Sequence, residues 1–167
     1  NCKSEIWNLS ENTSKIKLIN LIKKLNNDST VHGILIQLPL PKNFNSQEII
    51  QYICSKKDVD GLHPINMGKL FLGNPEFIPC TPFGCLKILE YYKIAVEGKR
   101  VTIIGRSNIV GKPLMALLSQ NYLFGNATVT LCHSKTKSLE DITKISDIVI
   151  VAVGKPNLLK SNMIKKG

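Results

Sequence analysis

At 167 residues, 43% of them hydrophobic, the chain is long enough to bury a core as one domain or as two small ones. No apolar run approaches the ~18 residues of a membrane span, and no basic segment at the start leads into an apolar stretch and cleavage site, so a soluble protein is expected. The net charge of +10 invites a nucleic-acid reading, yet Arg100 and Arg106 are the only arginines and no aromatic and basic residues interleave as a stacking surface. Ile16, Ile19 and Ile22 with Leu18, Leu21 and Leu25 predict a helix between Ser14 and Asn26, ended by Asn27-Asp28. Val31 to Gln37 is predicted to be a buried strand, stopped by Leu38-Pro39-Leu40-Pro41, whose prolines cannot continue a central ladder. Asn45 and Glu48 have capping-box spacing for a helix reaching about Cys54. Asp58-Val59-Asp60-Gly61 is a turn signal, and Thr81-Pro82 reads as an N-cap and first-turn proline for a helix through Tyr92. Val101 to Ile104 is a strand that empties into Gly105-Arg106-Ser107-Asn108-Ile109-Val110-Gly111-Lys112-Pro113 and a helix. A second strand, Ala127 to Leu131, ends in Cys132-His133-Ser134-Lys135; Ser138 and Asp141 start the next helix; a third strand, Asp147 to Val153, ends in Gly154-Lys155-Pro156.

The last three strands and two helices alternate, which is half a Rossmann unit. A strand that opens into a small-residue turn and then a helix aims backbone N–H groups at one point, where a diphosphate can bind. The spacing departs from the common glycine pattern, because Ser107 takes the second glycine position and Gly111 arrives one residue late; an ordinary strand-to-helix turn fits the same residues. In NAD-selective versions an acid follows the second strand and holds the ribose hydroxyls. Here that place holds Ser134 and Lys135, with no carboxylate before Glu140. A hydroxyl and a cation suit a phosphate, Arg106 can add a planar fork, and the positive charge favours approach of small polyanions, so NADP is expected over NAD.

Gln37, at the end of its strand, suits either a ligand contact or a bond to the backbone of the proline turn. Asp60 beside Gly61 is a turn former before it is a ligand. His63 and His133 lack metal-ligand spacing and read as packed or capping histidines. The cysteines, Cys2, Cys54, Cys80, Cys85 and Cys132, contain no C-x-x-C pair, so reduced thiols in a cytosol-like compartment and no metal site are expected.

His32-Gly33-Ile34-Leu35-Ile36-Gln37-Leu38-Pro39-Leu40-Pro41, Lys57-Asp58-Val59-Asp60-Gly61, Pro79-Cys80-Thr81-Pro82, and Gly105-Arg106-Ser107 with Val110-Gly111-Lys112-Pro113 together closely resemble the bifunctional methylenetetrahydrofolate dehydrogenase/methenyltetrahydrofolate cyclohydrolase family. The likeness runs from about Thr30 to Gly167. It implies an α/β fold of two domains flanking a cleft: a partial folate-binding catalytic domain over residues 1–62, and a partial Rossmann-like NADP-binding domain with a parallel sheet over 63–167, of which 63–80 cross between them. It also implies NADP-dependent oxidation of methylenetetrahydrofolate and hydrolysis of the methenyl product to formyltetrahydrofolate, in one-carbon metabolism serving purine biosynthesis. By the same resemblance Gln37 lies beside the reacting carbon and orients a catalytic lysine, Ile36, Gln37, Leu38 and Asp60 contact the folate, and Gly105, Arg106, Ser107 and Ser134 contact the cofactor. A cytoplasmic homodimer joined through the cofactor domain, with no nucleic-acid or membrane partner, is the family expectation.

The catalytic lysine of that family lies in a Tyr-x-x-x-Lys helix ahead of the Gln-Leu-Pro-Leu-Pro segment, and nothing before Val31 fits it. Tyr52-Ile53-Cys54-Ser55-Lys56 has the spacing but follows the proline turn, so it is expected to be a decoy in a solvated Lys56-Lys57-Asp58 run. The family's later Asp-containing strand and Pro-Gly-Gly-Val-Gly-Pro segment have no counterpart before Lys165-Lys166-Gly167. The expectation is an internal piece of a longer enzyme, inactive alone, with a catalytically silent NADP-binding module as the alternative.

Overall fold

The computed structural model describes residues 3–165, so Cys2 and the closing Lys166-Gly167 lie outside it. The chain divides into two compact units, one ending at Val59 and the other beginning at Asp60. Among the described residues no helix is long and apolar enough to cross a membrane.

In the first unit α1 (Lys15–Asn27) begins at Ser14, whose hydroxyl accepts the Lys17 N–H at 3.2 Å. Leu18 and Ile22 are buried on it, with Ile19 and Leu25 beside them, against Ile34, Ile49 and Ile53. Ile16 is 72% exposed, which corrects its place in the predicted stripe. It stands two residues before Leu18, about 200° around a helix of 3.6 residues per turn, and so faces water. α2 (Ser46–Ile50) is capped by Asn45, which accepts N–H bonds from Gln47 and Glu48. The reciprocal half of the capping box is not made: the Glu48 carboxylate takes the Lys15 ammonium at 2.5 Å instead. α2 also stops short of Cys54, giving way to a turn and a 3-10 turn over Ser55–Lys57.

The predicted strand Val31 to Gln37 is not a strand here. A strand needs a repeated ladder, and this segment has one rung: the Ile34 N–H donates to the Lys57 carbonyl at 2.7 Å, with Ile34 bridged in parallel to Asp58. The period-two burial survives, since Ile34 is buried, Leu35 is 55% exposed and Ile36 is half-buried, which is why the sequence read as a strand.

The second unit carries α3 (Pro64–Phe71), α4 (Cys80–Tyr91), β1 (Arg100–Ile104), α5 (Gly111–Ser119), β2 (Thr128–Cys132), α6 (Leu139–Lys144) and β3 (Ile148–Val151). The sheet is parallel throughout in the order β2-β1-β3. Val101 and Ile103 of the central strand pack with Leu114, Leu117 and Leu118 of α5 and with Leu70 and Leu86 of α3 and α4. Thr102, pointing to the other face, pairs its hydroxyl with that of Ser146 at 2.7 Å, and Ser146 in turn donates to the Ile142 carbonyl at the end of α6. Two helix starts differ from expectation. α4 begins at Cys80 behind Pro79, so Thr81 lies inside the first turn and caps nothing; Pro82 is accommodated there because first-turn N–H groups have no helical acceptor. Ser138 does precede α6, but in a left-handed conformation with no side-chain capping bond.

Candidate functional site

Because the strands are parallel and β1 is central, the loops after all three strands emerge at one edge of the sheet. The chain leaves β1 toward β2 through α5 and reaches β3, on the other side of β1, through α6. At such a reversal open α/β sheets bind ligands, in the crevice outside the strand ends.

Gly105 forms its floor. Its N–H donates to the Cys132 carbonyl at 2.8 Å, the Ala152 N–H donates to the Ile104 carbonyl at 2.8 Å, and its φ of 125° suits glycine alone. A methyl group on Gly105 would strike the Ala152 carbonyl. Gly111, the first residue of α5, lies against the Gly105 carbonyl so closely that a methyl group there would overlap it. The helix start is therefore seated directly on the end of β1. Ser107 shapes the connection: its hydroxyl accepts the Val110 N–H at 3.1 Å and its carbonyl accepts the Lys112 N–H at 3.0 Å. Lys112 donates to the Asn108 side chain at 2.7 Å. Arg106 and Ser107 are exposed above this turn.

Ser134 is exposed at the tip of the turn after β2. His133 organises that turn: its N–H donates to the Thr136 hydroxyl at 2.8 Å, its carbonyl accepts the Thr136 N–H, and its Nδ1 accepts the Lys135 N–H at 3.1 Å. Ile104 and Cys132 are register partners, so Arg106 and Ser134 each follow a paired residue by two positions at the same edge. Burial pushes the Cys132 thiol up, against a smaller opposing bond from Thr136. His63 is likewise a cap, its Nδ1 accepting the Ile65 N–H at the start of α3. Of the two readings given them, packed or capping, His63 caps a helix and His133 binds its own turn.

In the first unit Gln37 is exposed and its side-chain amide donates to the Leu38 carbonyl at 3.3 Å, the bond to the proline turn considered above. Ile36 and Leu38 flank it half-buried, and the Leu38–Pro39 peptide is cis. Lys56 is exposed. Its neighbours are not solvated as expected: Asp58 is 2% exposed, and the Lys57 ammonium is bound by three backbone carbonyls. In the second unit Asp60 is half-buried beside Gly61, whose φ is 65° and whose missing side chain leaves room for the Phe77 carbonyl. Cys54, Cys80, Cys85 and Cys132 are free thiols, and no group of three or more metal-ligating side chains occurs among the described residues.

Two family models match the chain. One, described as the tetrahydrofolate dehydrogenase/cyclohydrolase catalytic domain, covers residues 1–60; the other, the NAD(P)-binding domain of the same proteins, covers 79–167. The bifunctional protein FolD of Ligilactobacillus salivarius is 53% identical over 95% of this chain and 54% of its own length. The crystal structure of the bifunctional enzyme FolD, a methylenetetrahydrofolate dehydrogenase/cyclohydrolase from Campylobacter jejuni, matches 94% of this chain and 55% of that one, with 51% identity and a TM-score of 0.88. The Trypanosoma brucei enzyme, solved with NADP cofactor and inhibitor, matches 94% of this chain and 53% of that one, with 35% identity and a TM-score of 0.86. The chain thus spans about half the length of the relatives it matches.

Proposed function

The chain belongs to the tetrahydrofolate dehydrogenase/cyclohydrolase family, and from that premise we propose that it binds NADP and a reduced folate for oxidation of methylenetetrahydrofolate and hydrolysis of the methenyl product. The observation that carries the reading is the glycine-seated crevice at the strand ends, flanked by Arg106 and Ser134 rather than by an acid. Gly105 and Gly111 let α5 start directly on the end of β1, and a helix start placed at the strand ends suits a diphosphate. Arg106 and Ser134 bind the phosphate that distinguishes NADP from NAD, the guanidinium as a planar fork and the hydroxyl as a donor. When bound, NADP accepts the hydride released from the folate's methylene bridge.

The folate side is assigned to Ile36, Gln37, Leu38 and Asp60. Gln37, exposed with only a long bond to Leu38, has an amide free to turn toward the reacting carbon and the lysine that serves it. A carboxylate at Asp60 accepts two parallel N–H bonds from the edge of a 2-aminopyrimidinone ring. Residues 1–62 form the folate domain and 63–167 the cofactor domain, with 63–80 crossing between them. The working form is a cytoplasmic homodimer joined through the cofactor domain, supplying one-carbon units for purine synthesis.

Titration calorimetry of the 167-residue chain with NADP and NAD is the first test, with tighter binding of NADP expected. This chain is expected to turn over neither substrate, because no lysine ahead of Gln37 has the Tyr-x-x-x-Lys setting. A chain extended at both ends to the length of its relatives should catalyse both steps. A well-folded extended chain that binds NADP and catalyses neither would establish the silent module instead.

A further inference from the structure

Lys57 closes the carboxyl end of α1. Its ammonium donates to the carbonyls of Leu25 at 3.0 Å, Asn26 at 2.7 Å and Asp28 at 2.7 Å. Three donors are all that an ammonium has; the Leu25 and Asn26 carbonyls are among those a helix end leaves unpaired, at the negative end of its dipole, and the Asp28 carbonyl, which also accepts the Val31 N–H at 3.2 Å, belongs to the residue that follows the helix. Asn26 ties the same two segments a second time, donating its amide to the Tyr52 carbonyl at 2.7 Å and accepting the Cys54 N–H at 2.9 Å. The segment so anchored holds the lane that leads to Gln37. The carbonyl of Lys57 itself accepts the Ile34 N–H at 2.7 Å, Asp58 forms the parallel bridge to Ile34, and Val59 fills the place of a side chain at Gly33.

From this geometry we infer that Lys57 is a positioning residue for Gln37: its ammonium fixes residues 57–59 to the end of α1, and they fix Gly33 and Ile34, four and three residues before Gln37. The inference rests on the role proposed above for Gln37. A helix cap with no further task would contribute stability alone. A positioning residue also sets where the Gln37 amide stands.

The test compares Lys57→Met, which keeps the apolar stem and removes the donors, with Lys57→Arg, which keeps charge and donors. In the 167-residue chain, amide exchange at Ile34 should accelerate about tenfold or more in Lys57→Met, the loss expected of a charged hydrogen-bonding group. The Gln37 side-chain amide resonances should shift, while the amides of Ile103 and Leu131 stay protected. Lys57→Arg should restore most of both signals, and it carries the comparison if Lys57→Met leaves the first unit unfolded. In the chain extended to family length, assayed where the variant is folded, kcat should fall about tenfold to a hundredfold with KM for NADP unchanged. A lower melting temperature with unaltered Gln37 resonances and unaltered kcat would overturn the inference. If the unsubstituted extended chain is inactive, the proposed function fails on its own account. The exchange and resonance measurements then still decide whether Lys57 holds this lane.

Discussion

Replacing Gly111 by alanine tests the crevice most directly. A methyl group there would stand 2.7 Å from the Gly105 carbonyl carbon and 3.1 Å from the Arg106 Cα, inside the carbonyl oxygen between them. Both neighbours are backbone, so no side chain can swing aside, and the cost falls at the upper end of overpacking, ~3 kcal/mol. Alanine returns up to ~1 kcal/mol as a better helix former, which leaves a net loss of ~2 kcal/mol. For a unit of about 100 residues that lowers the melting temperature by about 10 °C. Relief of the overlap must push Gly105 and Arg106 away from α5, so NADP should bind at least about tenfold more weakly, a further ~1.4 kcal/mol. Gly68→Ala in α3 is the control, because nothing lies within 4 Å of the place its methyl would take, and it should gain ~0.5–1 kcal/mol. Calorimetric melts with and without NADP read both quantities. An alanine at Gly111 that melts and binds as the unsubstituted chain does would refute the seated-helix account of the site.

Arg106→Ala should weaken NADP about tenfold to a hundredfold, the ~1.5–3 kcal/mol of a charge-assisted contact, and leave NAD nearly unchanged in titration calorimetry. Equal loss for both would remove the phosphate assignment. Asp60→Ala in a chain of family length should damage folate binding and spare NADP; unchanged folate affinity with a lower melting point would make Asp60 a turn residue only. Asp147 is held below the usual carboxylate range, first by the Arg100 N–H and then by Lys165, so its contribution to stability is complete above the unfolded pKa of ~3.9 and drains as pH falls through the lower folded value. Asp147→Asn should therefore flatten the acid limb of unfolding free energy below about pH 4, and an unaltered slope would count against the pairing.

The cradle was legible because its residues act locally: Gly105, Gly111 and the apolar run before them specify a strand, a tight turn and a helix with little help from elsewhere. Ser14, Asn45, His63 and His133 were legible for the same reason, since a cap reaches only two or three residues along the chain. The misses at Ile16, Thr81 and Ser138 were local, whereas three others depended on partners far away in sequence. Val31 to Gln37 has the alternation of a strand, but pairing requires a neighbour, and here the neighbour offers one rung. Lys57 sits in a charged run that looks like solvated surface, and only the arrival of α1, about thirty residues earlier in sequence, turns it into a clamp. Glu48 was drawn from its capping box by Lys15 for the same reason.

The order β2-β1-β3 has a consequence for synthesis on the ribosome. The central strand is made first, and both of its partners lie downstream, with Arg100 waiting for Thr128 and Val101 for Ile148. At about 5–20 residues per second, Val101 to Ile104 spends seconds with both hydrogen-bonding edges open. Such an apolar, uncharged segment is what binds to copies of itself on neighbouring nascent chains, and the hazard persists until β3 emerges. Stalled chains ending before Ile148 should accordingly be protease-sensitive around β1, and those carrying β3 clear of the tunnel protected. The step that closes both edges of β1 is thus the arrival of β3, whatever the speed at which α5 has folded.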